Sequence, residues 1–207
     1  MRRTVVVLGL TLSVLMVVSA SAGMQIGAKI WQMDTSFQFA GDAEQESDGL
    51  ALGPTISFDL GDDFWVSAMW LVGEEEWNDG SEANTQDAEA VLALALDWID
   101  LGVGFRYSED EDAASGAKFR KYGPMAYVGA GNSFGEDSPL GWYAGASWMF
   151  VDLNDDWDWG EHYNVEAGLS LYLDPLSATV GYRLKEHYDA DNDLKYEGVT
   201  ASLAIAL

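Results

Sequence analysis

Leu101-Gly102-Val103-Gly104-Phe105-Arg106-Tyr107 sets Leu, Val, Phe and Tyr on one face and Gly, Gly and Arg on the other. A period of two residues belongs to a β-strand with two unlike faces. The same alternation recurs along the chain. Val165, Ala167, Leu169, Leu171 and Leu173 oppose Glu166, Gly168, Ser170 and Tyr172. Ala178, Val180, Tyr182 and Leu184 oppose Thr179, Gly181, Arg183 and Lys185. Val199, Ala201, Leu203, Ile205 and Leu207 oppose Thr200, Ser202, Ala204 and Ala206. Working outward gives ten runs: 24–39, 50–60, 64–73, 87–98, 100–108, 121–132, 139–150, 162–173, 176–187 and 194–207. Nothing after residue 23 carries a helical period. Two runs depart from the pattern: Phe64 to Val72 is apolar on both faces, and Tyr122 to Gly131 contains Pro124, which has no N–H for a ladder.

The connections alternate in length. Gly61-Asp62-Asp63, the stretch near Ile99, Gly135 to Ser138 and Asp174-Pro175 are short. Gly41–Gly49, Glu74–Gln86, Glu109–Arg120 and Asp152–Glu161 are longer and acidic, and Asp189–Asp193 is a shorter fifth. Short turns at one end and longer loops at the other predict an all-β fold: a closed, antiparallel, up-and-down transmembrane β-barrel of about ten strands, with eight as the alternative count. Both termini then face the periplasm and the acidic loops face outward.

A soluble barrel alternates too, but buries its bulky face. Three features favour lipid outside. The polar face is rich in small residues, among them Gly102, Gly104, Gly145, Gly168, Ser170 and Gly181, which suit a narrow interior. Aromatics gather near strand ends: Trp31, Trp65, Trp98, Tyr107, Trp142, Trp148, Tyr163 and Tyr188. Such rings favour a water–lipid boundary. The chain also ends on its last strand, which leaves that strand free to close against the first. The alternative is a soluble secreted β-barrel with a small ligand in its core.

Arg2 and Arg3, an apolar stretch from Thr4 to Val18 and the small residues Ser19-Ala20-Ser21-Ala22 read as a cleavable export signal over 1–22. One domain over 23–207 remains. The apolar stretch is shorter than the roughly 20 residues of a spanning helix. With no Cys in the chain, lipid anchoring through Cys, disulfides and thiolate chemistry are excluded. A formal net charge of −25 excludes nucleic acid as a partner, because phosphate binding needs Lys and Arg. The expected partners are outer-membrane lipid, lipopolysaccharide, loosely held divalent cations and, during insertion, the barrel assembly machinery.

The whole pattern resembles the small outer-membrane β-barrels of Gram-negative bacteria, the group of OmpA-type and OmpW-type barrels. The last strand, Gly198 to Leu207, resembles the signal read by the barrel assembly machinery, with Leu207 where that signal carries an aromatic residue. Trp31-Gln32-Met33-Asp34-Thr35-Ser36 resembles the opening strand of a proteobacterial outer-membrane barrel family. That resemblance implies fold and outer-membrane location, and it carries no activity.

No enzyme is expected. His162 and His187 fall at strand ends beside long loops. Glu186-His187-Tyr188-Asp189 lacks the Asp-x-His spacing of the omptin proteases, and neither His begins the His-x-Ser pair of barrel deacylases. Asp189, Asp191 and Asp193 are weak metal candidates, since Leu194 and Thr200 replace the Gly and Glu of an EF-hand. No cofactor is implied. Strand parity assigns Lys29, Asp59, Asp87, Glu89, Arg106, Glu166, Arg183 and Lys185 to the lumen. Opposite charges in a narrow interior should pair, which makes either a plugged structural barrel or a narrow passive channel. A surface binding or adhesion barrel, using Trp77, Trp157 and Trp159, is the alternative.

Overall fold

The computed structural model describes residues 23–39, 45–153, 161–188 and 192–207. The expected export signal, Trp157, Trp159, Asp189 and Asp191 lie outside the described residues. The strands are β1 (Met24–Phe39), β2 (Gln45–Asp59), β3 (Phe64–Trp77), β4 (Glu82–Leu96), β5 (Ile99–Asp112), β6 (Lys118–Ser133), β7 (Leu140–Met149), β8 (Glu161–Leu173), β9 (Leu176–Tyr188) and β10 (Asn192–Ala206). Each pairs antiparallel with the next, and β10 closes on β1 from Gln25↔Ala206 to Phe39↔Asn192. The ring has ten strands, not eight, and no sheet edge is left along it.

One end carries the short turns and both termini; the other carries the hairpin tips. At the tips the strands outrun the apolar pattern. β3–β4 pairing continues to Glu76↔Glu82, and β5–β6 pairing to Glu111↔Lys118. The stretches expected as loops, Glu74–Gln86 and Glu109–Arg120, are mostly strand. The alternation persists there in polar residues: Glu75, Thr85 and Ser108 are buried inward. Hydrophobic periodicity is blind to it. The tips themselves need the left-handed region, which Gly80 (φ 81°) and Gly116 (φ 70°) supply. In the first tip, Ser81 donates to Asp79 Oδ1 from its hydroxyl at 2.6 Å and its N–H at 2.9 Å. These bonds hold the Asp79 carboxyl below the usual carboxylate range.

The wall is greasy outside and ionic inside. Val103 is 62% exposed and Leu203 59%, whereas Arg106 is 1% and Arg183 0%. Trp31 and Trp65, expected among the boundary aromatics, point inward. Trp31 packs with Met33, Ala51, Leu71, Leu194 and Tyr196, and Trp65 meets the Tyr127 ring edge-on. Both occupy inward parity, which ring counting at strand ends ignores. Tyr107, Tyr163 and Tyr188 do face outward, and they donate to Glu109, Glu186 and Glu161 respectively.

Four inward glycines, Gly129, Gly145, Gly168 and Gly181, are seats for the Tyr127 and Tyr143 rings. A Cβ at Gly129 would lie 2.6 Å from Tyr127 Oη, and one at Gly181 would lie 2.3 Å from Tyr143 Oη. A side chain at these positions would collide with the rings.

The wall is weakest between β6 and β7, whose pairing stops at Met125↔Met149. Pro124 explains the stop. The N–H and C=O of Tyr122 point away from β5 and meet Asp152 Oδ1 at 3.3 Å and the Leu153 N–H at 2.9 Å. Pro124, two residues on, faces the same side and has no N–H to offer. The chain after β7 therefore folds over upper β6 instead of extending the ladder.

Candidate functional site

The lumen gathers most of the chain's cations. Of the eight Lys and Arg after residue 22, Lys29, Arg106, Lys121, Arg183 and Lys185 turn inward. The outward three, Lys118, Arg120 and Lys195, pair with Glu109, Glu111 and Glu197 on the outer wall.

Arg183 of β9 reaches Asp87 of β4 at 2.6 Å. These strands are five apart in a ring of ten, so this ion pair spans the full diameter. Tyr196 of β10 donates to Asp110 of β5 at 2.6 Å, a second full-diameter strut. Arg183 also donates to Asn164 Oδ1 at 2.6 Å and lies over the Trp31 ring at 4.5 Å. Arg106 pairs with Glu89 and approaches Asp87 at 3.7 Å. Lys185 donates to Ser108 at 3.2 Å and caps the Tyr196 ring at 3.7 Å.

Nearer the turn end, Glu166 of β8 is a hub. Lys29 of β1 meets it at 2.5 Å, and Tyr143 of β7 and Thr200 of β10 each donate at 2.9 Å. A buried carboxylate with one cation and two hydroxyl donors has its lone pairs well occupied.

Seven of the eight expected lumen residues are therefore inside: Lys29, Asp87, Glu89, Arg106, Glu166, Arg183 and Lys185. Asp59 is not. It is exposed at the turn-end mouth, with its carboxyl beside Gly23. Its parity is inward, but it is the last residue of β2 and has no lumen above it.

Several interior residues escaped sequence reasoning. Lys121, Trp31, Tyr196, Glu75 and Asp110 share the inward parity of their strands, which was the available signal. His162 and His187, expected at a polar rim, are fully enclosed and touch each other, with Nδ1 atoms 3.0 Å apart. Both do stand one residue from an end of their strands, as expected; their inward parity, not a longer strand, encloses them.

Asp193 is exposed near the tip of β10. Among the described residues, no three His, Asp or Glu side chains converge on a metal position. On the outer wall, Asp34, Asp48, Glu76 and Glu82 stand side by side on β1 to β4, beside an open groove of about 550 Å³.

A closed antiparallel wall with apolar residues outside and crossed ion pairs inside defines the class: this is the fold of the outer-membrane β-barrels. Two solved structures carry the same architecture. The outer membrane protease OmpT from Escherichia coli aligns with a TM-score of 0.56 at 11% identity, covering 90% of this chain and 98% of that one. The translocator domain of the autotransporter NalP from Neisseria meningitidis aligns at 0.51 and 11% identity, covering 99% and 97%. At such identity the likeness concerns the fold alone. No protein-family model matches the chain, and no curated protein matches it.

Proposed function

We propose that this chain is a non-enzymatic, structural outer-membrane β-barrel with a closed lumen, which presents an acidic hairpin end at the cell surface. The observation that carries the reading is the pair of full-diameter struts, Arg183–Asp87 and Tyr196–Asp110. A passive channel needs a continuous path, and side chains bonded across the whole bore obstruct it. The enclosed state of His162 and His187, the two imidazoles of the chain, supports a barrel without catalysis, since neither ring reaches a substrate in solution.

In this reading residues 1–22 are an export signal, both termini are periplasmic, and the outward tyrosines mark the lipid–water boundary. The acids on β1 to β4 meet lipopolysaccharide phosphates through loosely held divalent cations. The terminal strand is the feature offered to the assembly machinery, and it supports kinship with the OmpA-type and OmpW-type barrels.

Planar-bilayer recording tests the closed lumen. The mature protein is expected to insert and stay electrically silent at neutral pH, with gel mobility that shifts on boiling as proof of folding. Steady single-channel steps from heat-modifiable protein would replace this reading by the narrow channel. Protein that stays monomeric in buffer without detergent would remove the membrane altogether.

A further inference from the structure

His162 and His187 are register partners on β8 and β9, with both rings turned into the lumen and enclosed. Arg106 Nη1, from β5, lies 3.0 Å from His162 Nε2. A guanidinium donates and never accepts. His162 Nε2 is therefore the acceptor, and the proton of that ring sits on Nδ1. It is donated over 3.0 Å to Nδ1 of His187. His187 then carries its own proton on Nε2, an atom that is buried and has no hydrogen-bond partner. The geometry fixes two neutral rings in different tautomers, in a chain running from Arg106 through His162 to His187.

A further proton has no comfortable place. On His162 Nε2 it would face an Arg106 N–H. On His187 Nδ1 it would face the N–H of His162. Either addition removes a hydrogen bond and sets donor against donor. It also adds a cation where Arg106 of β5, Lys121 of β6 and Lys185 of β9 already face the pair, against Asp87 of β4. On β10, the Tyr196 ring packs edge-on against His187 while its hydroxyl is engaged by Asp110.

We infer that the His162–His187 pair is a proton-operated latch on the plug. At neutral pH it ties β5 to β8 and β9 across the lumen. On acidification a charged His162 releases Arg106, whose remaining partners, Asp87 and Glu89, both lie on the adjacent strand β4. That tie across the bore is lost, and the hairpin-end half of the plug loosens, with Tyr196–Asp110 and Lys185–Ser108 left to join β5 to the far wall. This rests on the closed-lumen reading above.

The test is bilayer recording of the mature protein at pH 7.5 and pH 4.5, beside the double variant His162→Gln/His187→Gln. Its amides donate and accept but take up no proton. The wild type should be silent at pH 7.5 and open at least tenfold more often at pH 4.5, while the double variant stays silent at both. Openings at pH 4.5 that persist in the double variant, or a wild type silent at pH 4.5, overturn the latch and leave the closed barrel standing. Current already flowing at pH 7.5 overturns the closed barrel itself. Should the variant fail to show heat-modifiable mobility, nitrogen-15 histidine spectra of the wild type decide. One Nδ1–H and one Nε2–H ring at pH 7.5, with the Nδ1–H ring gaining a proton over the interval of channel opening, support the latch; two rings of one tautomer refute it.

Discussion

Arg183 and Asp87 stand on diametrically opposite strands, β9 and β4, and their side chains meet at 2.6 Å with almost no solvent exposure. An ion pair of this kind costs desolvation on both sides, and its value depends on neither partner being left alone. Asp87→Ala should therefore destabilise the barrel by about 3–5 kcal/mol, because it strands a buried guanidinium. The double variant Asp87→Leu/Arg183→Met should cost far less than the sum of the singles. Urea midpoints of heat-modifiable mobility, taken as a double-mutant cycle, measure the difference; additive losses would mean that the strut carries no coupling.

The tyrosine seats make a second test. A Cβ at Gly129 meets three atoms of Tyr127 within 3.1 Å and no other group so closely. Gly129→Ala should cost about 1–3 kcal/mol, as overpacking does, and displace Tyr127 from Trp65. In a Tyr127→Ala background the same change should be nearly neutral. Equal costs in both backgrounds would show that the ring does not use the seat.

The weak seam between β6 and β7 should be visible in hydrogen exchange. The Tyr122 amide rests on a 3.3 Å bond to Asp152, whereas Val128, on the same side of β6, lies within the β7 ladder opposite Ala146. Tyr122 should exchange faster than Val128 by at least about tenfold, since local openings cluster where few bonds hold the backbone. Asp152→Ala should accelerate Tyr122 further and leave Val128 unchanged.

The greasy outer face gives a fourth prediction. Val103→Arg places a charge midway along an outward face and should cost about 2–4 kcal/mol in liposomes, where the bilayer midplane penalises it. Glu76→Arg, near a hairpin tip, should cost at most about 1 kcal/mol by the same depth dependence. Tryptophan fluorescence against urea reads both. Equal tolerance at the two sites would argue that no lipid surrounds Val103.

Much of this was legible in one dimension. Strand identity and inward parity follow from period two, because a pleated backbone sends neighbouring side chains to opposite faces; the count of ten rather than eight was settled by the closed ring. That rule alone picked out Lys29, Asp87, Glu89, Arg106, Glu166, Arg183 and Lys185. It failed where hydrophobicity and position part company. Asp59 keeps the parity but sits at the mouth, and Trp31 and Trp65, counted among the boundary aromatics, sit inside, Trp31 from the middle of β1 and Trp65 from the start of β3. The strands extended past Glu75 and Ser108 because backbone pairing does not require apolar side chains.

What the linear chain determined by itself is which side of a strand each residue occupies and where the chain turns, since both are properties of neighbouring residues. Which lumen groups meet was decided only by closure. Asp87 and Arg183 are 96 residues apart, and nothing local selects one strand facing another. The curvature that joins β10 to β1 brings β4 opposite β9, and brings Arg106 to the two histidines. The ion pairs and the tautomers they impose follow from that ring.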